Sequence, residues 1–425
     1  MKIDTRERDV VIIGGGPAGG TAAALLAEKG LDVLLLEKEI FPRFHIGESL
    51  MTETWWVLDR LGMVEWLKTT AFPRKRSVQF ISEDGSPSKP FYFFQTNKHE
   101  SAATWQVERS VFDEKLLAVA SEKGAEVRLG VTAERVLFDD EQRATGVRAA
   151  IDGESVEVPA RVTIDASGMG ALLGRQLKLI DSDPRLRKGS IFAHYTGGYR
   201  DEGDDEGATL IIHTEGNRGW FWYIPLSDDR VSVGVVGDPG ELLKDDDGNN
   251  RGSPAEILQE EIQKSPEMKR RLCELRQASL CSEVMVTSDF SYRATRCAGP
   301  GWVLIGDAFG FVDPVYSTGV FLALKSGEMA ADTIVEAIEA GDLGGSRLGS
   351  FAPELVAGIE AMRKLVYAFY TPGFSFADFV KGHPQHFDRL VDLLTGNVFK
   401  EGVTNIFDDM KEFCDFPEEI PLETD

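Results

Sequence analysis

Between Asp9 and Glu37 the chain carries a pattern that leaves little choice in how it folds. Val10-Val11-Ile12-Ile13 is an unbroken apolar run of the kind buried on both faces of a parallel sheet. It leads into Gly14-Gly15-Gly16-Pro17-Ala18-Gly19, then a helical stretch from Thr21 to Lys29, then Asp32-Val33-Leu34-Leu35-Leu36 closed by Glu37. Strand, tight turn, helix and strand in this order make a parallel pair with a crossover helix. Gly14, Gly16 and Gly19 hold the glycine places of G-x-G-x-x-G, with Pro17 and Ala18 between the last two. They allow the turn, let a pyrophosphate approach the backbone and let the helix close on the strand, while the helix amino end meets the phosphate charge. Glu37 lies 18 residues beyond Gly19, where an acid binds adenosine ribose hydroxyls, and Lys38 follows at the same edge.

A dinucleotide site alone does not separate NAD from FAD. Four further segments bear on that choice: Pro42 to Ser49 (P-R-x-x-I-G-E-S), Gln106-Val107-Glu108-Arg109, Val162 to Gly168, and Trp302 to Ala308. Any one of them is also read as a strand end followed by a turn. Together and in this order they resemble the nucleotide-contact segments of flavin monooxygenases with the p-hydroxybenzoate hydroxylase-like fold. The resemblance implies FAD, with Arg109 near the pyrophosphate, Asp165 and Gly168 at the second nucleotide contact, and Asp307 after Gly306 reaching the ribityl chain. Glu48 and Ser49 shape the flavin edge. No second G-x-G-x-x-G appears for NAD(P)H. That favours reduced flavin delivered by a separate flavin reductase, although monooxygenases of this fold also bind NADPH without such a motif.

Two more segments narrow the chemistry. In Gly219-Trp220-Phe221-Trp222-Tyr223-Ile224-Pro225, strand alternation puts Trp220, Trp222 and Ile224 on one face. Two indoles there make a wall, or simply an aromatic core. Phe311 to Gly319 reads F-x-x-P-x-x-S-x-G, with Pro314 and Ser317 at the fixed places, and a helix follows from about Val320 to Glu339. The amino end of that helix favours an anionic reduced flavin, and amides at Thr318 and Gly319 can hold a small anion. The bland reading is a proline turn that starts a helix.

These segments resemble the flavin-dependent halogenases, and the likeness runs from Val10 to beyond Gly319. It implies a halide, chloride or bromide, cradled at Ser317, Thr318 and Gly319. With O2 a flavin C4a-hydroperoxide oxidises it to hypohalous acid, which passes Trp220 and Trp222, with Ile224 and Pro225 behind them. Lys75 in Arg74-Lys75-Arg76 fits the place of the lysine that receives the acid and halogenates substrate. That role asks for an amine whose pKa is lowered by desolvation or by neighbouring cations, and Arg74 and Arg76 are such neighbours; a solvated basic run is the alternative. Tryptophan-type enzymes carry a glutamate where this chain has Tyr316. An aromatic there resembles the phenol and pyrrole group, so the implied substrate is a small aromatic, free or tethered to a carrier protein. Ser288 to Tyr292 is similar to a D-x-S-Y element of the same group, making Asp289 a candidate flavin neighbour or a structural turn. An aromatic hydroxylase and, further off, a prenyl-chain-saturating flavin reductase of the same fold are the competing activities.

The expected architecture is α/β: a Rossmann-like FAD-binding domain intertwined with a β-sheet substrate domain, plus a helical carboxy-terminal region. FAD-binding parts fall at 1–77, 106–190 and 288–343, the last with the halide site. Substrate-sheet parts fall at 78–105 and 191–287, and helices with an acidic tail at 344–425. Pro254 to Gln277 reads as one amphipathic helix capped by Ser253. A net charge of −24 argues against nucleic acid or an anionic membrane as partner. Its clusters, 201–206, 245–247 and 415–425, read as solvated loops and a disordered tail. An acidic carrier protein then requires a local basic patch, for which Arg74, Lys75, Arg76, Lys178, Arg185, Arg187 and Lys188 are candidates. The four cysteines show no metal-like spacing, no apolar stretch approaches membrane-span length, and the charged amino end is unlike a signal peptide. A reduced, cytoplasmic setting without metal or membrane is the expectation.

Overall fold

A computed structural model of the chain describes residues 4–244 and 247–423; Asp245 and Asp246 of the central acidic cluster and the last two tail residues lie outside the described residues. The nucleotide-binding strands form the middle of one sheet, ordered Ala298–Gly299, Trp302–Leu304, Glu154–Asp165, Arg8–Ile13, Val33–Glu37, Glu126–Leu129. From Trp302–Leu304 onward every pairing is parallel. The helix after the glycine turn begins at Pro17 rather than Thr21, because the fixed φ of proline suits the first helical position. Thr318–Ala340 packs across it. The α/β class read from the sequence therefore holds.

The second sheet gathers strands far apart in the chain: Ser279–Leu280, Gly189–Thr196, Arg230–Gly237, Gly219–Pro225, Thr209–His213, Ser77–Ile81 and Phe91–Tyr92, with Met285–Ser288 also on Gly189–Thr196. One face of it turns to the nucleotide half and carries Trp220, Trp222 and Ile224. The other face carries Phe221 and Tyr223 into a separate core roofed by Ile257, Leu258 and Ile262. Alternation along Gly219–Pro225 thus feeds two cores, and every residue of the strand is buried.

Three expectations need correction. The stretch after Ser253 is not one helix: Pro254–Lys264 has the expected cap, but Ser265 and Pro266 start a new turn and a π-helical segment follows. Proline cannot donate to the preceding turn, so the helix ends there. The acidic tail is packed rather than disordered as far as residue 423. Arg363 donates to the Glu418 carbonyl, Arg293 to that of Ile420, Lys364 pairs with Glu419, and the Glu423 amide reaches Thr295. Basic groups buried on Ala352–Tyr370 and beside it hold the tail carbonyls. Finally, four of the seven candidate cations are not free to serve an acidic carrier. Lys75 is buried, Arg76 pairs with Asp204, Arg185 with Asp415, and Lys188 with Asp238.

Candidate active site

The two sheets enclose a cavity of about 1200 Å³. The glycine turn forms one end. Gly14 has φ +102°, and a Cβ on it would sit 2.3 Å from the Ala166 carbonyl; one on Gly19 would sit 2.0 Å from the Gly14 carbonyl. Only glycine permits that closure of turn, helix and neighbouring strand. Glu37 accepts from the amides of Gly15 (2.7 Å) and Glu39 (2.8 Å), which fixes its carboxylate at the mouth of the turn. Gly14, Gly16, Pro17, Ala18, Glu37, Lys38, Glu48, Ser49, Arg109, Gly168, Asp307 and Pro314 all line the cavity.

Other proposed contacts lie behind that surface. Gly19 and Gly306 serve packing: a Cβ on Gly306 would meet the Ala18 methyl at 2.8 Å. Asp165 is fully buried, and its carboxylate accepts from the amides of Ser167 (2.9 Å) and Leu173 (2.7 Å). It shapes the turn that carries Gly168 and does not face the cavity, which corrects its placement as a direct contact. Of the two readings of Asp289, flavin neighbour or turn, the structure supports the turn. It is exposed, with φ +50°, its amide bonds the Lys188 carbonyl, and its neighbour Phe290 takes the cavity place. It is a turn residue.

Arg109 makes a bidentate pair with Asp113 (2.8 and 2.9 Å) and donates to the Ile46 carbonyl. Arg43 shares Asp113 at 3.2 Å and stands beside the Gly16 turn, yet its Nη1 is buried with no partner. An orphaned guanidinium nitrogen, glycine amides and a helix amino end around one cavity fit a pyrophosphate. Arg43 is the arginine of the P-R-x-x-I-G-E-S segment, from which the sequence singled out only Glu48 and Ser49; the fold is what brings its guanidinium to the glycine turn. FAD fits this lining. Burial pushes the Asp307 carboxyl up to about 6, against the pull of Arg109. His194 bonds Glu48 at 2.6 Å.

The tryptophan strand forms the far wall. Trp220 and Trp222 lie 6.1 Å apart between ring centroids and line the cavity with Ile224, whereas Pro225 does not. Trp222 is opposite Gly234 in register, and its ring fills the space where a Cβ on Gly234 would stand, 2.2 Å away. Its Nε1 donates to Ser232 at 3.1 Å. Trp220 donates to the Tyr370 hydroxyl (2.9 Å), which lies 3.1 Å from Asp313 Oδ2. Burial pushes the Asp313 carboxyl up to about 7. Of the carboxy-terminal aromatics, Phe369 and Tyr370 brace the wall from behind.

At the third side Ser317, in the left-handed region with φ +58°, turns the chain into the Thr318–Ala340 helix. Ser317 and Gly319 line the cavity; Thr318 and Tyr316 are buried behind it, Tyr316 against Phe369. Lys75 also lies outside the cavity. It is 3% exposed, donates to the Leu50 carbonyl at 3.1 Å, and sits 5.7 Å over the Phe93 ring. Leu50 follows Ser49, so the lysine is one residue removed from the cavity lining. Burial alone lowers its pKa to about 7. Of the two causes open from the sequence, desolvation is the one at work, while Arg74 stacks on Trp105 and Arg76 pairs with Asp204.

The family model described as tryptophan halogenase matches residues 9–103 and 86–373. The 1H-pyrrole-2-carbonyl-[peptidyl-carrier protein] chlorinase of Pseudomonas fluorescens is 31% identical, over 97% of this chain and 94% of its own length. The corresponding brominase of Pseudoalteromonas luteoviolacea is 37% identical, over 79% of each chain. The structure of the flavin-dependent brominase Bmp2 superposes with a TM-score of 0.84 at 32% identity, covering 96% of this chain and 98% of the other. The chain belongs to the flavin-dependent halogenase family and is an enzyme of that class. No helix among the described residues is long and apolar enough to cross a membrane, and no metal-binding cluster occurs among them.

Proposed function

We propose that this enzyme oxidises chloride or bromide to hypohalous acid beside reduced FAD and halogenates an electron-rich ring through Lys75. The observation that carries the reading is a buried lysine with a pKa near 7, one residue from a flavin-sized cavity and shielded from it by protein. An amine in that state is a free nucleophile for about half of the molecules at neutral pH. FAD, once reduced and exposed to oxygen, supplies the two-electron oxidant. Ser317 and the first amides of the Thr318–Ala340 helix hold the halide, with Gly319 leaving room at the cavity surface. The indoles of Trp220 and Trp222 keep the ring substrate away from the flavin. Phenol and pyrrole suit such a site because their own electrons activate the attacked carbon, and Tyr316 supplies no carboxylate. The pyrrole-carrier relatives favour a pyrrole thioester. A separate flavin reductase supplies FADH2.

The test uses the full chain with FAD, a flavin reductase, NADH and oxygen, with and without bromide or chloride. Phenol and pyrrole-2-carbonyl pantetheine thioester serve as acceptors. A halide-dependent mass gain that disappears in Lys75→Ala, with FAD still bound, is the expected result. Oxygen insertion without halide would make the protein an aromatic hydroxylase.

A further inference from the structure

Lys75 does not line the flavin cavity, so oxidant made there has to cross protein. The side chains in between form one connected polar group. Ser49 and Thr209 line the cavity, and their hydroxyl oxygens are 2.9 Å apart. Behind them Gln106, fully buried, donates through Nε2 to the Gly207 carbonyl and to Thr209 Oγ1, both at 2.8 Å. The Gly207 carbonyl can only accept, which fixes the amide with its NH2 on that side and leaves Oε1 turned away. That Oε1 is buried without a partner.

Strand geometry says where Gln106 sits relative to the lysine. Arg74–Lys75 pairs antiparallel with Thr104–Trp105, Lys75 opposite Thr104, and the Gln106 amide extends the ribbon by bonding the Pro73 carbonyl at 2.9 Å. Side chains alternate, so Thr104 and Gln106 share the face that carries Lys75, and Gln106 is its diagonal neighbour. Gln106 therefore touches the cavity-lining Thr209 hydroxyl at one end and shares a ribbon face with Lys75.

Resting on the halogenase reading, we propose that Gln106, with Thr209 and Ser49, forms a polar gate that passes hypohalous acid from the flavin cavity to Lys75. Only one of the two hydroxyl protons can lie between Ser49 and Thr209, and the other is left to donate into the cavity. It meets the oxygen of HOX, while the proton of HOX finds the free acceptor at Gln106 Oε1. An apolar wall offers neither, and a buried carbonyl without a partner is otherwise unfavourable.

The gate is tested in flavin-free protein with limiting hypobromous acid. At Lys75 an N–Br bond forms and the O–Br bond breaks; the amine proton joins the departing hydroxide as water. Peptide mass spectrometry gives the ratio of N-bromination at Lys75 to that at exposed Lys381, which is 76% exposed. Gln106→Leu and Thr209→Val each lower that ratio about tenfold, the loss expected for one buried hydrogen-bonding step, and the double variant falls no further. Ratios within twofold of the wild type, losses that multiply in the double variant, or a wild-type Lys75 that takes no bromine would overturn the gate. If Gln106→Leu fails to fold, as shown by its melting curve, the volume-matched Thr209→Val decides. A wild type that brominates Lys75 here but shows no halide-dependent turnover would sink the halogenase reading and leave the passage standing.

Discussion

Replacing Lys75 by methionine keeps the length of the side chain and removes its charge, and its consequences follow from burial. A lysine titrating at about 7 in the folded chain and at 10.5 when solvated binds fewer protons folded than unfolded between those values. Stability therefore rises with pH across that window; the penalty is full below about 7 and gone above 10.5. At 1.36 kcal/mol per unit, the penalty is about 4 kcal/mol at pH 7 and about 2 kcal/mol at pH 9. An unfolding entropy of about 2.1 cal/mol/K per residue makes 1 kcal/mol worth roughly 1 °C in a chain of 425 residues. Lys75→Met is then expected to melt about 4 °C above the wild type at pH 7 and about 2 °C above it at pH 9. Calorimetry on matched samples checks this, with halogenation falling by at least about a hundredfold in the same variant. A gain equal at both pH values, or a loss at both, would refute a lysine held in its neutral form by burial. Halogenation by the wild type should also fall as pH drops through about 7, because protonation removes the free amine.

Two further outcomes follow from named contacts. Arg43→Ala removes the guanidinium with the orphaned nitrogen beside the glycine turn; FAD affinity, read by flavin fluorescence titration, should fall about tenfold or more, a charge-assisted hydrogen bond being worth roughly 1.5–3 kcal/mol. Tyr370→Phe strands the buried Trp220 Nε1, so the melting temperature should drop by about 1–3 °C, with the cost of one unsatisfied group at about 1–3 kcal/mol; an unchanged melting curve would show that the wall needs no brace.

Much of this protein was legible from local pattern. The glycine turn, the Pro314–Gly319 turn and the tryptophan strand are short-range instructions, because positive φ, close backbone approach and period-two alternation are written in consecutive residues. They were sufficient for the fold class and the family. The sequence also placed Lys75 among its site residues but left the cause of its lowered pKa open between desolvation and the neighbouring cations, because in the chain it reads as one of three in a row. Only tertiary structure turns Arg74 onto Trp105 and Arg76 out to Asp204 and drives Lys75 alone into the interior. The same distinction separates Asp165, whose carboxylate is spent on its own turn, from Arg43, which reaches the cavity with a nitrogen to spare. Gln106 and Thr209, 103 positions apart, share a hydrogen bond that no spacing announces. Backbone conformation is decided by neighbours in the chain, whereas desolvation and hydrogen-bond partners are decided by whatever the fold brings alongside.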